Sequence, residues 1–420
     1  MKTTPRVPIL AVLAASTAIA LSQGGPLIPP PGAPSQEMRS LQEIWDKIGD
    51  LESQNTSLQQ QLDLVESQNT AILNQSLYLH YANGGSLPWD LSTIDNVGGF
   101  GQTTSLAFGP DGQPAISYRV ATNSALKFAR SDGSSWNLHT VDDIGDVGGY
   151  SSLAFDSGGQ PAISYFDATN QDLKFAHFDG TTWNLTTVDS AGDVGEFTSL
   201  AFAPDDQPAI AYYDKTNTFL KLATFDGTIW TLTTVDNSGG VGRHTSLAFG
   251  PDGHPAISYR DDNATFSLKF ARFNGTSWTL TTVDNAINVG VDTSLAFGPD
   301  GLPAISYRDA SNTALKFARH NGTSWILTII DSNGLSGNYT SLAFGPDGQP
   351  AISYRDASSQ ALKFARFNGS AWNLTTIHDG PTNSGWFTSL AFGPDGLPAI
   401  SFYNLTSNTL KLARMKPITP

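Results

Sequence analysis

The chain has 420 residues, a formal net charge of −15 and no cysteine. Without cysteine there are no disulfides, thiolate nucleophiles or cysteine-ligated zinc. So acidic a chain has no broad basic surface to neutralise phosphates, which excludes a general nucleic-acid role.

The chain opens "MKTTPRVPILAVLAASTAIALSQGG". Lys2 and Arg6 precede an apolar run over 7–21, and Ala18 and Ala20 supply small residues at −3 and −1. This predicts a secretory signal peptide over 1–22, cleaved near Ala20, and a secreted or cell-surface protein. Loss of Lys2 and Arg6 with the leader would bring the net charge to about −17. The run is shorter than the roughly 20 residues of a spanning helix. Residues 23–36, with "PLIPPPGAP", read as a stiff, extended proline-rich linker.

Over 37–82 the period changes. Leu41, Ile48, Asn55, Leu62, Asn69 and Ser76 occupy a positions, and Ile44, Leu51, Leu58, Val65, Ile72 and Leu79 occupy d positions. An a/d stripe this narrow predicts a parallel coiled-coil stalk and self-association, with dimer and trimer both open. Polar Asn55 and Asn69 fix register at a cost in stability.

From residue 86 to 416 one unit repeats. Its T/S-S-L-A-F strand starts at Thr104, Ser151, Thr198, Thr245, Thr293, Thr340 and Thr388, spaced 47, 47, 47, 48, 47 and 48 residues. Units of this length built only of strands predict an all-β, seven-bladed β-propeller. In the fourth unit the strands are 246–249, 255–259, 267–273 and 278–283. Pro251-Asp252-Gly253 supplies turn chemistry after the first, and Asn274-Gly275 is a two-residue hairpin signal after the third. The seventh unit ends before its fourth strand. "PWDLSTIDN" at 88–96 matches "SWTLTTVDN" at 277–285 and stands before the first unit. A strand exchanged from the N-terminal end would complete the last blade and close the ring, leaving no open edge. Seven tryptophans, from Trp89 to Trp372, open the fourth strands and are expected to fill blade interfaces.

The first-to-second and third-to-fourth turns are nearly invariant between units. Both single-residue insertions fall in the second-to-third and fourth-to-first loops, which makes that face the candidate binding surface. Two recurring features point to it. Thr103, Tyr150, Phe197, His244, Asp292, Tyr339 and Phe387 precede the first strands. They should ring the channel mouth, either stacking on sugar faces or plugging the channel. Arg260-Asp261, Arg308-Asp309 and Arg355-Asp356 end second strands. A fork donor beside an acceptor suits vicinal hydroxyls or a carboxylate, and the alternative is a structural ion pair involving the lysine of "LKFAR". No cofactor and no catalytic residue is assigned. Asp142, Asp143, Asp146 and Glu196 are the acids that depart from the repeat, and "DDIGD" lacks the order of a calcium loop.

The pattern "ISYRDASNTALKFARFNGTSWTLTTVD", with its apolar second strand, polar loop and D/N-G-x-x-W turn, resembles seven-bladed bacterial propeller lectins. More loosely it resembles the six-bladed fucose-binding lectins of fungi. That resemblance implies non-catalytic sugar binding between blades, with a glycan or cell-surface polymer as partner. "FDGTTW" at 178–183 is also similar to a degenerate sialidase Asp-box. The expectation is a multivalent, lectin-like or adhesive propeller. A structural or protein-binding surface module is the alternative, and a sialidase-like glycoside hydrolase stands last.

Overall fold

A computed structural model of the chain describes residues 47–59, 61, 89–96, 103–263, 266–378 and 383–416. The signal peptide and linker fall outside the described residues. Of the 37–82 stalk, one short helix over 47–59 is described, and the side chains of Leu51 and Leu58 on it are 56% and 63% exposed.

The remaining described residues form seven four-stranded antiparallel sheets. Blades 1 to 6 span 104–142, 147–189, 194–236, 241–284, 291–331 and 338–378, and blade 7 combines 386–415 with Trp89–Asn96. We letter the strands of each blade a to d from the innermost. In blade 4 they are Val241–Phe249, Pro255–Asp261, Ser267–Phe273 and Trp278–Asp284. The outer strand of blade 7 is Trp89–Asn96, antiparallel to Thr409–Met415 with Trp89 opposite Met415.

Burial follows from this order. Strand b is flanked by a and c and covered by both neighbouring blades, so it reads as the apolar run P-A-I-S-Y and is buried throughout in blades 2, 3, 6 and 7. Strand d lies outermost and reads W-N/T-L-T-T-V-D, with exposed polar residues and a buried Val-Asp end. The cores lie between blades rather than inside them. One joins Leu173, Phe175 and Val188 of blade 2 to Val194, Ile210 and Tyr212 of blade 3. Across these interfaces the strand-d tryptophan meets a strand-c phenylalanine of the preceding blade edge-on. The Phe128–Trp183, Phe175–Trp230, Phe270–Trp325 and Phe317–Trp372 ring centroids are all 5.2 Å apart. These tryptophans are packing residues.

Around the channel, the N–H of each strand-a leucine donates to a strand-a serine hydroxyl of the preceding blade, at 2.9–3.0 Å. The set runs from Leu153 N to Ser105 Oγ through to Leu390 N and Ser341 Oγ. The blade 7 to blade 1 junction carries the same bond, Leu106 N to Ser389 Oγ.

In blades 2 to 4 strand a starts four residues before the T/S that opens the repeat pattern, at Val147, Val194 and Val241. The extension is irregular: pairing shifts between Val194 and Glu196, and again between Glu196 and Ser199. It needs glycine, because Gly195 has φ +100° and a Cβ there would lie 2.7 Å from Leu173 Cα.

Candidate functional site

Contacts sort the loops onto two faces. The b–c turns bond to the preceding d–a loops: Ala168, Lys215, Asp262, Ala310, Ala357 and Leu405 donate N–H groups to the carbonyls of Asp146, Asp193, Gly240, Asn288, Leu335 and Asn383. On the other face the a–b turn aspartates pair with strand-c arginines. Examples are Arg130–Asp111 at 3.0 Å and Arg414–Asp395 at 2.8 Å, each guanidinium lying over a phenylalanine of the next blade. That pair recurs in five of the seven blades, with His177–Asp156 in blade 2 and Thr224 in place of the arginine in blade 3.

Of the seven residues predicted to ring the channel mouth, six lie within strand a, and Thr103 stands immediately before it in blade 1. Thr103, Tyr150, Phe197, His244, Asp292, Tyr339 and Phe387 all have φ between 51° and 61°. The six beyond blade 1 sit at the bulge where a–b pairing breaks, and the left-handed backbone re-aims their side chains. Because all seven share it, this strain belongs to the architecture and marks no single blade.

Neighbouring rings touch along two arcs. Tyr150–Phe197 and Phe197–His244 centroids are 4.4 and 4.6 Å apart, and Tyr339–Phe387 are 4.4 Å apart. Trp386 extends the second arc, 5.6 Å from Tyr339. Asp292 divides the arcs: one carboxylate oxygen lies 3.2 Å from His244 Nδ1, and the other accepts the Tyr339 N–H at 2.8 Å. Burial works to raise the Asp292 carboxyl, but the His244 ring, the Tyr339 N–H and the charge of Arg308 hold it below the usual carboxylate range. Burial, reinforced by Asp292, pushes the Tyr339 phenol up to about 12.

The Arg-Asp sequence pairs do not act as pairs. Successive strand residues point to opposite sides, and here the two side chains part. Asp261, Asp309 and Asp356 fold into the b–c turns, accepting N–H groups from Asn263, Asn312 and Ser358, and approach Lys269, Lys316 and Lys363 at 3.4, 3.7 and 3.1 Å. The arginines turn to the d–a loop. Arg260 donates to Asn288 Oδ1 at 2.9 Å and reaches Asp262 at 2.6 Å, while Arg355 donates to Asn383 Oδ1 at 2.8 Å and lies 4.2 Å over the Trp386 ring. Burial lowers the Arg355 pKa.

The "LKFAR" lysine is the hub of a buried cluster that crosses six of the seven blade interfaces. Lys174 reaches Asp142 of the preceding blade at 2.6 Å, and Tyr165 donates to the same carboxylate at 2.7 Å. The Tyr–Asp bond recurs at 2.7 Å for Tyr118–Asp95, Tyr212–Asp189, Tyr259–Asp236, Tyr307–Asp284 and Tyr354–Asp331. Asp142 is therefore a structural acid. Asp146 pairs with Arg119 at 2.5 Å, and Glu196 with Lys215 at 3.0 Å. The sequence reading missed the partners Asn288, Asn383 and Asp262. A signal existed for the two asparagines: each stands immediately before a Val-Gly or Ser-Gly step, and alignment on that step brings Asp146, Asp193, Gly240, Asn288, Leu335 and Asn383 into one column, whereas Asp262 lies in a b–c turn outside it.

No family model matches the chain, and no curated protein matches it. Among solved structures it is similar to a catalytically inactive virginiamycin B lyase from Staphylococcus aureus with quinupristin, at TM-score 0.54 and 10% identity over 78% of this chain and 100% of that one. It is also similar to Aleuria aurantia lectin in complex with alpha-methyl-L-fucoside, at TM-score 0.48 and 13% identity over 66% and 95%. AofleA from Arthrobotrys oligospora is similar at TM-score 0.48 and 14% identity over 70% and 91%. At such identities the likeness is one of fold: the chain is a seven-bladed β-propeller.

Proposed function

We propose that this propeller binds carbohydrate without chemistry, at the channel mouth on the face of the b–c and d–a loops. The observation that carries the reading is the pair of aromatic arcs there, Tyr150–Phe197–His244 and Tyr339–Phe387–Trp386. Flat rings held by bulged backbone offer preformed apolar platforms for sugar faces, with Asp292 and the loop-facing arginines as flanking polar groups. The arginines Arg260, Arg308 and Arg355 belong to the proposed surface, while Asp261, Asp309 and Asp356 shape the turns beside it.

Secretion, the ring closed by the strand exchanged from 89–96, and a parallel coiled-coil stalk complete the proposal. On the described helix the d-position Leu51 and Leu58 are exposed, and burying them in a second or third copy would multiply weak sites into avidity. The test is a glycan array probed with the intact chain and with Phe197→Ala and Phe387→Ala. Binding lost in both variants supports the reading, and a blank array from the intact chain overturns it.

A second reading rests on His244 and Asp292. A carboxylate 3.2 Å from imidazole Nδ1 is the arrangement that orients a general base. Turnover of a bound glycan that stops in His244→Gln while binding persists would favour that reading over a lectin.

A further inference from the structure

Strand b ends in arginine on the loop face in four blades, at Arg119, Arg260, Arg308 and Arg355. In each, the following d–a loop presents one residue to the guanidinium. Asp146 accepts from Arg119 at 2.5 Å, Asn288 from Arg260 at 2.9 Å and Asn383 from Arg355 at 2.8 Å. In blade 5 the same position is Leu335, fixed by the same backbone bond from the next b–c turn, Ala357 N to Leu335 O at 3.0 Å. A leucine side chain accepts nothing, and this one is 43% exposed. Among the described residues Arg308 has neither a hydrogen bond nor an ion pair; its Nε is buried without a hydrogen-bond partner, as are those of Arg260 and Arg355, but those two guanidiniums are held through their other nitrogens by Asn288 and Asn383. A buried donor left so is costly unless something outside the chain accepts from it.

The electrostatic neighbour of Arg308 is Asp292, with which it makes neither an ion pair nor a hydrogen bond. Arg308 acts electrostatically on Asp292 and Tyr339, yet both Asp292 oxygens are already taken by His244 and the Tyr339 N–H. Arg355 acts on the same phenol; it feels the charge of Asp356 but its direct contacts are the neutral Asn383 and the Trp386 ring. Elsewhere on this face cations meet carboxylates: Arg119 meets Asp146, Lys215 meets Glu196, and Arg243 meets Asp262. The corner between blades 5 and 6 thus brings together two arginines that, among the described residues, make no ion pair.

We propose that this corner recognises the carboxylate of an acidic sugar, so that the glycan is a uronic-acid polymer rather than a neutral one. Arg308 presents its planar fork to the carboxylate in bidentate fashion, Arg355 adds charge, and Tyr339 supplies the ring face beside it. The inference rests on the glycan-binding reading and narrows it to one chemical class.

The experiment is calorimetric titration of the full chain with an oligogalacturonate and with the same oligomer methyl-esterified, beside a neutral-glycan panel. Two variants act on the site in different ways. Arg308→Gln removes the fork. Leu335→Asp keeps Arg308 but supplies the acceptor that blade 1 has in Asp146, occupying the fork from within. Each should weaken oligogalacturonate binding about 10-fold or more, as loss of a charge-assisted bidentate contact implies, while Arg130→Gln on the opposite face leaves it unchanged. Leu335→Asp should also raise the melting temperature, since it pairs a buried donor, so its lost binding cannot be misfolding. Acid binding that both variants leave intact overturns the site but not the glycan reading. Binding to neutral or esterified sugars alone overturns the carboxylate and keeps the glycan reading. Silence across every ligand overturns both.

Discussion

Lys316 offers the sharpest test of the buried cluster. Its ammonium pairs with Asp284 of the preceding blade and lies 3.7 Å from Asp309, with side-chain exposures of 11%, 4% and 3%. Lys316→Met keeps the aliphatic stem and its packing and removes only the charge, leaving two buried carboxylates with no counter-ion. Breaking a buried pair from one side costs about 3–5 kcal/mol. Blade 7 carries an internal control: Lys411 donates to Thr93 Oγ1 at 3.0 Å, at an exposed position, with Asn404 and His378 where other blades place aspartates. Lys411→Met strands no acid and should cost about 1 kcal/mol or less. Urea denaturation of the two variants, read as midpoint at constant slope, should separate them by about 2–4 kcal/mol. Equal midpoints would refute the claim that the lysine is an electrostatic hub, and would reduce it to a packing stem.

The same clusters set the pH response. In Asp142, Asp189, Asp236, Asp284 and Asp331 burial works to raise the pKa, but lysine, tyrosine and backbone donors prevail and lower it. A folded pKa below the unfolded value means stability present above about pH 4 and lost as pH falls through the folded values. The urea midpoint should hold from pH 7 to about 5 and drop below about 4, so a fall confined to pH above 5 would contradict this. Buried Tyr165, Tyr212, Tyr259 and Tyr307 are pushed far up, burial first and the aspartate partner next. Their contribution is full below about pH 10 and fades above it, so their phenolate absorbance should appear in one step with alkaline unfolding. A gradual rise in the folded state would count against their burial. At Gly337, φ is +90° and a Cβ would come within 2.9 Å of Leu315 Cα, whereas Gly322 at φ +97° has open space. Calorimetric melting should therefore show Gly322→Ala losing about 1 kcal/mol and Gly337→Ala clearly more.

Blade number, strand order and the faces of the loops were legible because repetition exposes them: a 47-residue period with Pro-Asp-Gly and Asn-Gly at fixed offsets leaves little freedom. The mouth residues were legible as a column, but their place in a bulge was not. A register shift leaves no mark in a side-chain pattern, and positive φ at Tyr150 or Phe197 contradicts the preference of those residues. Of the two readings of the Arg-Asp pairs, the ion pair with the "LKFAR" lysine is the one the aspartates make, for a reason of geometry. Adjacency in sequence suggested one binding fork, but strand alternation sends Arg260 to Asn288 and Asp261 to Lys269. The Tyr–Asp–Lys cluster was hidden because its members lie 23 and 32 or 33 residues apart, in different blades.

Departures from a repeat differ in meaning according to whether they compensate one another. At the blade 6 to blade 7 interface the acid, the phenol and the second acid of the cluster are all replaced, by His378, Phe402 and Asn404. The imidazole bonds Ser384 Oγ at 2.7 Å, Asn404 donates to the same hydroxyl at 2.9 Å, and Lys411 turns to Thr93. Phe402 needs no acceptor, so removing the acid together with its phenol leaves nothing without a partner. Such a junction is a second solution to the same packing problem. Between blades 5 and 6 only one side changes: the acceptor becomes Leu335 while Arg308 stays. Packing alone gives no reason to keep a guanidinium there, since Phe166 and Tyr213 fill that strand-b position in blades 2 and 3. A retained donor whose protein acceptor is gone fits a contact made to something outside the chain, and the distinction between compensated and one-sided change is what separates that corner from the blade 6 to blade 7 junction.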